Sequence, residues 1–502
     1  MSLRRNVFYG LIGQGGLLLL TLVSTRLVFK QLGPEALGVI GFAVLATSLL
    51  ITLLDAGMTP TITREVAAYS TLEPKYVSDL FKTSAFLGWC GFTLTAAAMW
   101  ILVPKAVENW VNLQVLEIDQ ANNGIRIISI ALLLALPRSI YGAYLSGYGR
   151  LGRWNIANFW ANSVQQIGLI IILPQGANLD QIAWWYAISA ILGLMPYLVF
   201  AAQIGGIGTL IPRPRQYVLK RNKKFSTNLL LNSMTGYVAN YADRWSVSHF
   251  LVIADFAFYN FVQGISSKLG VVLGAMASAG FADLSKQSET NDPMSNFRKI
   301  HELTTLVCVI SSGAIFLFGI VLIQIIFGND IAAQLSVTIG ILTCGQMLTG
   351  VLTMPFWLSI ARKRADISLK ANVYSILIVL PIAVLATWQF GINGAAFSLI
   401  ASSIWQWVYF FPRTCRECMD KSAGDFYWVT LKITAAGALS YAASWMLFKQ
   451  LGTANLVFET TIAYIAGTSI FFLFFWRRSA PATRSTLIRF LGDGFKLITT
   501  KK

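Results

Sequence analysis

Apolar stretches of about twenty residues recur from one end of this chain to the other, and that recurrence limits the fold more than any other feature. About 20 apolar residues in helical form cross a bilayer core of about 30 Å. Stretches of that size fit 7–29, 36–59, 81–103, 124–147, 156–174, 181–201, 225–251, 256–280, 300–327, 331–358, 369–388, 392–412, 428–448 and 457–476. The stretch at 225–251 is the least apolar of them. Composition agrees: of 502 residues 55% are hydrophobic and only 12% charged, about half the charged share that keeps a soluble domain solvated. The first apolar run follows Arg4 and Arg5. It is too long for a signal-peptide core and no small-residue cleavage site follows it, so it reads as a retained first span. The expectation is an all-α integral membrane protein of about fourteen transmembrane helices with no separate soluble domain.

Charge then orients the chain. The net charge of +17 would suggest nucleic acid in a soluble protein. Here the basic residues fall between apolar spans, so no nucleic-acid partner is expected. With the N-terminus placed in the cytoplasm, inside segments carry 31 of the 39 Lys and Arg, and outside segments carry three: Lys30, Lys105 and Lys449. That alternation obeys the positive-inside rule and predicts an even number of spans with both termini cytoplasmic. The longest basic loop lies near the middle of the chain, and its Pro212-Arg-Pro-Arg215 stretch reads as a linker. The domain expectation follows. An N-terminal lobe covers 1–204 and a basic linker 205–224. A second lobe covers 225–412, two further spans 413–476, and a basic amphipathic tail 477–502. Sliding the halves at an offset of 219 aligns six identical residues over 33 positions, which is compatible with a repeat without proving one.

Five basic residues remain at membrane depth: Arg26, Arg126, Arg138, Arg244 and Lys268. A charge near the bilayer centre costs at least about 2.5–3.5 kcal/mol, so it either snorkels or serves a function. Arg26 and Arg126 lie near outer ends and could snorkel. Arg244 follows Asp243, and an ion pair is its plain reading. Arg138 and Lys268 sit midway along their spans and point to a water-filled cavity. Acids at depth are few: Asp55, Asp243 and Asp255. A basic surplus should attract an anion, and pyrophosphate suits Arg forks. Asn158, Asn162, Gln165 and Gln166 crowd the fifth span, and Asn232, Tyr237 and Asn240 the seventh. They read either as interhelical hydrogen bonding or as a lining for sugar hydroxyls.

Other chemistry is absent from the pattern. Cys415 and Cys418 form a lone CxxC, and the chain has two histidines, too few ligands in view for zinc. No nucleotide-binding or hydrolase motif occurs. No cofactor and no metal are expected, and the chain reads as a transporter rather than an enzyme. A glycan polymerase or ligase would need a sizeable outer loop, and none is present.

Three segments carry a family resemblance: Arg26-Leu-Val-Phe-Lys-Gln-Leu-Gly-Pro-Glu-Ala-Leu-Gly38, Leu54-Asp-Ala-Gly-Met-Thr-Pro-Thr-Ile-Thr-Arg-Glu65 and Ala257-Phe-Tyr-Asn260. Together they resemble the polysaccharide flippases of the MOP superfamily (O-antigen, Wzx type). The resemblance implies two six-helix lobes around a central cationic cavity, plus two C-terminal helices, in the bacterial inner membrane. The implied substrate is undecaprenyl-pyrophosphate-linked oligosaccharide, turned from the inner to the outer leaflet for surface polysaccharide synthesis. By motif position Arg26 and Arg64 join Arg138, Arg244 and Lys268 as cavity candidates, and Asp55 and Asp243 are candidates for ion coupling. Membrane lipids, a polysaccharide polymerase and a chain-length regulator are the implied partners of a monomer. The rival readings are a MATE-like cation or drug antiporter, which predicts acids in the cavity, and a lipid II flippase.

Overall fold

A computed structural model describes residues 3–270, 272–274, 293–362, 364–449, 456–479 and 483–484. The amphipathic pattern read between Leu487 and Ile498 lies outside the described residues. The described chain is helical, and nine of its helices are long and apolar enough to cross a membrane. The first unit holds α1 (Leu3–Asp55), α2 (Met58–Tyr69), α3 (Pro74–Trp110), α4 (Ile118–Leu133), α5 (Ala135–Gly147), α6 (Leu151–Ile172), α7 (Leu179–Gly205) and α8 (Gln216–Phe250). Next come α9 (Ile253–Ser266), α10 (Pro293–Phe327), α11 (Asn329–Val351), α12 (Thr353–Ala361), α13 (Ala365–Trp405), α14 (Phe411–Met419), α15 (Gly424–Lys449) and α16 (Leu456–Arg478).

Two helices are too long to be single spans. The 53 residues of α1 would reach about 80 Å if straight, far more than a bilayer core. The chain turns at Gly33, whose φ of 80° suits glycine, and Pro34 opens the returning segment, where a missing N–H is harmless. Likewise, α13 turns at Gly391. With both counted as pairs, and the less apolar α8 and α15 and the 14-residue α9 added, the count of about fourteen holds. α8 is absent from the nine apolar spans, as the composition of 225–251 led one to expect.

The outer surface is apolar. Along α3, Leu94, Ile101 and Leu102 are exposed, as are Ile156 of α6 and Trp184 of α7, while Ser129 of α4 is fully buried. A belt of exposed large apolar side chains around a polar-tolerant interior is the arrangement hydrocarbon favours.

By contact the chain forms two compact units, 1–258 and 259–502. In the first, α1 packs on α4, α6 and α8, and α2 on α5. A core of Met58, Ile62, Phe81, Tyr141 and Tyr144 is closed by Val218 of α8. Because α8 packs on α1, α2 and α3, it falls in the first unit. In the second, α10 packs on α11, α15 and α16.

Both units contain the same local break. In the first, Leu134 N–H donates to Ala131 C=O at 3.2 Å and Arg138 N–H to Leu134 C=O at 3.2 Å. In the second, Leu352 donates to Thr349 at 3.1 Å and Phe356 to Leu352 at 3.0 Å. Pro137 and Pro355, which cannot donate, interrupt the helical ladder at each site. The two breaks are 218 residues apart, one from the sequence offset. Arg138 stands where the second unit has Phe356.

Candidate functional site

The site grows from the end of α1. Ala56 and Gly57 take positive φ of 46° and 71°, which reverses the chain and starts α2. Asp55 accepts the Thr59 N–H at 3.2 Å and also the Thr59 hydroxyl, supplying an acceptor to one of the N–H donors that a helix start leaves unpaired. The Thr59 hydroxyl is also 3.2 Å from Ser139 of α5.

An open recess of about 500 Å³ lies against this break. Ser48, Thr52 and Asp55 line one wall, Thr59 and Ser139 another, and α8 the third. On α8 the lining residues are Ser233, Gly236, Tyr237, Asn240 and Tyr241, a stripe at helical spacing. Tyr237 is fixed by two bonds: its hydroxyl lies 2.9 Å from that of Ser48 and donates to Leu45 C=O at 2.9 Å. Tyr241 stacks on it with centroids 4.3 Å apart. The Arg244 guanidinium lies 4.7 Å from the Tyr241 ring centroid, and its buried Nε has no hydrogen-bond partner among the described residues. The recess therefore offers hydroxyls, an amide, an aromatic face and one carboxylate, with a cation at the end of the stripe. That suits a polyhydroxyl ligand, which needs donors and acceptors together.

The residues singled out in the sequence are distributed as follows. Asp55, Tyr237 and Asn240 line the recess, and Asp243 is buried one residue before Arg244. Asn232, beside the lining Ser233, is exposed. Arg138 precedes the lining Ser139 and is half-buried within electrostatic reach of Tyr197 on α7. Arg26 is exposed on α1. Arg64 is exposed too, paired with Glu65 and 3.6 Å from the Phe225 ring centroid. Lys268 belongs to the second unit, exposed in the turn after α9. On α6, Asn162 donates to Asn158 C=O at 2.7 Å, Gln166 accepts from Ser24 of α1, and Gln165 C=O accepts from Trp185 at 3.0 Å. The hydroxyl residues Ser48, Thr59, Ser139 and Ser233 were missed, because Ser and Thr are ordinary in membrane helices. The 3–4 spacing of Ser233, Tyr237, Asn240 and Arg244 was the available signal.

A second cluster, also missed, lies at the basic-loop end. The Arg221 fork grips Glu73 at 2.8 and 3.2 Å and lies 3.9 Å from the Tyr76 ring centroid. Tyr76 donates to the buried Glu65 at 2.9 Å and accepts from Asn222 at 2.9 Å. Tyr217 donates to Asp79 at 2.7 Å. Hydrogen bonds from Arg221 hold the Glu73 carboxyl below its usual range. Burial, with Asp79 adding to it, pushes the Tyr217 hydroxyl up to about 12. These contacts bind the start of α8 to the α2–α3 turn.

With this geometry in place, comparison with known proteins decides the family. Residues 3–281 match the profile of the family described as polysaccharide biosynthesis protein. The chain belongs to that family. A Shigella flexneri protein provisionally named as an O-antigen transporter is 22% identical over 419 residues, covering 82% of this chain and 98% of the relative. Among solved structures, the lipid II flippase MurJ in an inward closed conformation superposes with a TM-score of 0.71 at 15% identity, covering 94% of this chain and 99% of that one. An inward-facing multidrug resistance MATE family transporter of the MOP superfamily gives 0.67 at 15% identity, covering 78% and 93%. At these identities the structural likeness establishes the fold: this polysaccharide biosynthesis family member is a multi-pass membrane protein with the MOP-superfamily architecture.

Proposed function

We propose that the protein flips undecaprenyl-pyrophosphate-linked oligosaccharide from the inner to the outer leaflet of the bacterial cytoplasmic membrane, by alternating access, for cell-surface polysaccharide synthesis. The observation that carries this reading is the recess of hydroxyls, amide and stacked tyrosines beside Arg244, in a chain of a polysaccharide biosynthesis family. Asn240, Tyr237 and the surrounding hydroxyls would solvate sugars; Arg244, with Arg26, Arg64 and Arg138 of the same unit, would neutralise pyrophosphate, and Lys268 is the cationic candidate of the second unit. The N-terminal lobe, with α8 packed into it, and the lobe that follows would act as the moving halves. Both termini would lie in the cytoplasm, a reading that the distribution of the basic loops supports. Moving negative charge outward gains about 2.3 kcal/mol per charge per 100 mV of inside-negative potential, a driving force for export that involves no nucleotide. Asp55 and Asp243 are the candidates for ion coupling.

The test is gene deletion followed by lipid extraction. The strain is complemented with wild type, Arg138→Ala, Arg244→Ala or Lys268→Ala. Lipid-linked oligosaccharide should accumulate and surface polymer disappear, with rescue by wild type and not by the variants. An unchanged lipid pool with normal surface polymer would overturn the reading and bring the MATE-like antiporter forward. Accumulation of lipid II alone would assign the peptidoglycan precursor instead.

A further inference from the structure

A second recess, about 440 Å³, lies on the other side of the α1–α2 break from the polar one. Alternate residues of one segment face the two: Asp55 and Thr59 line the polar recess, whereas Leu54, Ala56 and Met58 line this one. Its other walls are α3 from Leu80 to Gly91 and α8 from Val218 to Leu230. At 1.5 Å per residue these walls run about 17 Å, close to the depth of one leaflet in a core of about 30 Å. Leu54, Leu80, Leu87 and Leu230 line the recess, interspersed with the hydroxyls of Thr61, Thr83, Ser84, Ser226 and Thr227. At the basic-loop end stand Lys220 and Lys223, both exposed. The acids nearby are already engaged: Glu73 by Arg221, and Asp79 by Tyr217 and Arg215. Neither lysine has an ion-pair partner among the described residues.

We infer that this groove is the berth where the lipid half of the substrate docks from the cytoplasmic leaflet. The phosphate sits at Lys220 and Lys223, and a single polyisoprenyl chain runs inward along Leu80, Leu87 and Leu230. The inference rests on the flippase reading and adds a location to it. A leaflet-deep apolar groove with uncompensated cations at its mouth complements an anionic lipid. Its shared wall places such a lipid one helix break away from the polar recess.

The test uses the full chain in nanodiscs with labelled undecaprenyl phosphate. A photoreactive benzoylphenylalanine replaces Leu87, inside the groove, or Leu94, lipid-exposed on the same helix. Labelling is expected at position 87 and not at 94, and should survive excess phosphatidylglycerol. In the Lys220→Gln/Lys223→Gln variant it should fall on the order of tenfold, with the melting temperature unchanged. Equal labelling at both positions, full competition by phosphatidylglycerol, or no loss in the double variant would each overturn the berth. Normal complementation in cells alongside such a result would leave the flippase reading standing. Groove labelling with an unchanged cellular lipid-linked pool would remove the flippase reading instead.

Discussion

Gly57 is the point where α8 lies directly on the α1–α2 break: a Cβ built there would sit 2.8 Å from Leu229 Cβ and 2.8 Å from Ser226 C=O. The same residue holds φ at 71°, which an L side chain adopts only at a cost of about 1–2 kcal/mol. Gly57→Ala should therefore act twice, by strain and by pushing α8 away. The expected outcome is a lowered melting temperature in detergent and lost complementation. Wild-type stability in that variant would show that α8 does not bear on the break.

Glu35 organises the opposite end of the same unit. Its buried carboxylate accepts N–H bonds from Gln114 at 2.8 Å, Val115 at 3.0 Å and Leu116 at 2.7 Å. Bonds to a charged acceptor contribute about 1.5–3 kcal/mol each at most, and they share one group here. Glu35→Ala should cost about 2–3 kcal/mol and expose the 111–117 loop to proteolysis, while Lys105→Ala, in an exposed position, should do neither.

The Glu73–Arg221 pair sets a pH expectation. A carboxyl whose folded pKa is depressed stabilises the fold above its unfolded value and loses that contribution as pH falls through the folded one. Glu73 is depressed below its ordinary 4.5. The α3–α8 distance, read by paired spin labels, should therefore stay constant from pH 8 to about pH 4.5 and lengthen only below. Lengthening near pH 6 would assign the contact to another group. Arg221→Lys, which keeps charge but loses the two-pronged grip, should lengthen it at neutral pH.

Tyr237→Phe removes the bonds to Ser48 and to Leu45 C=O while keeping the ring stack on Tyr241. Each such bond is worth about 1 kcal/mol, so surface polymer output should fall several-fold with the fold intact. Full output would exclude the hydroxyl from the transport site.

Asp55→Asn separates capping from coupling. The amide oxygen can still accept the Thr59 N–H, so the melting temperature should hold. If Asp55 couples transport to an ion, the variant should no longer respond when the ion gradient is collapsed at constant voltage.

Much of the fold could be read directly. Apolar runs and basic loops marked about fourteen helices, with Gly33-Pro34 in the gap between the first two, whereas the break beside Pro137 lies inside the apolar run 124–147, which hydropathy reads as one span. The site was legible only in part. Tyr237, Asn240, Arg244 and Asp55 were named from polarity at depth, and three of them line the recess while Arg244 flanks it. Gln166 was named on the same grounds and instead joins α6 to α1 through Ser24.

The sequence by itself determined which segments are long and apolar enough to cross a membrane and how the charges are distributed between them. Those properties depend on transfer free energies that each segment carries alone. Only the tertiary structure decided that Ser48 meets Tyr237 across 189 residues, that Asn222 reaches Tyr76, and that Asp55 and Met58 face different recesses. The rotation of an apolar helix about its axis is set by the packing of its neighbours, and hydropathy does not encode it.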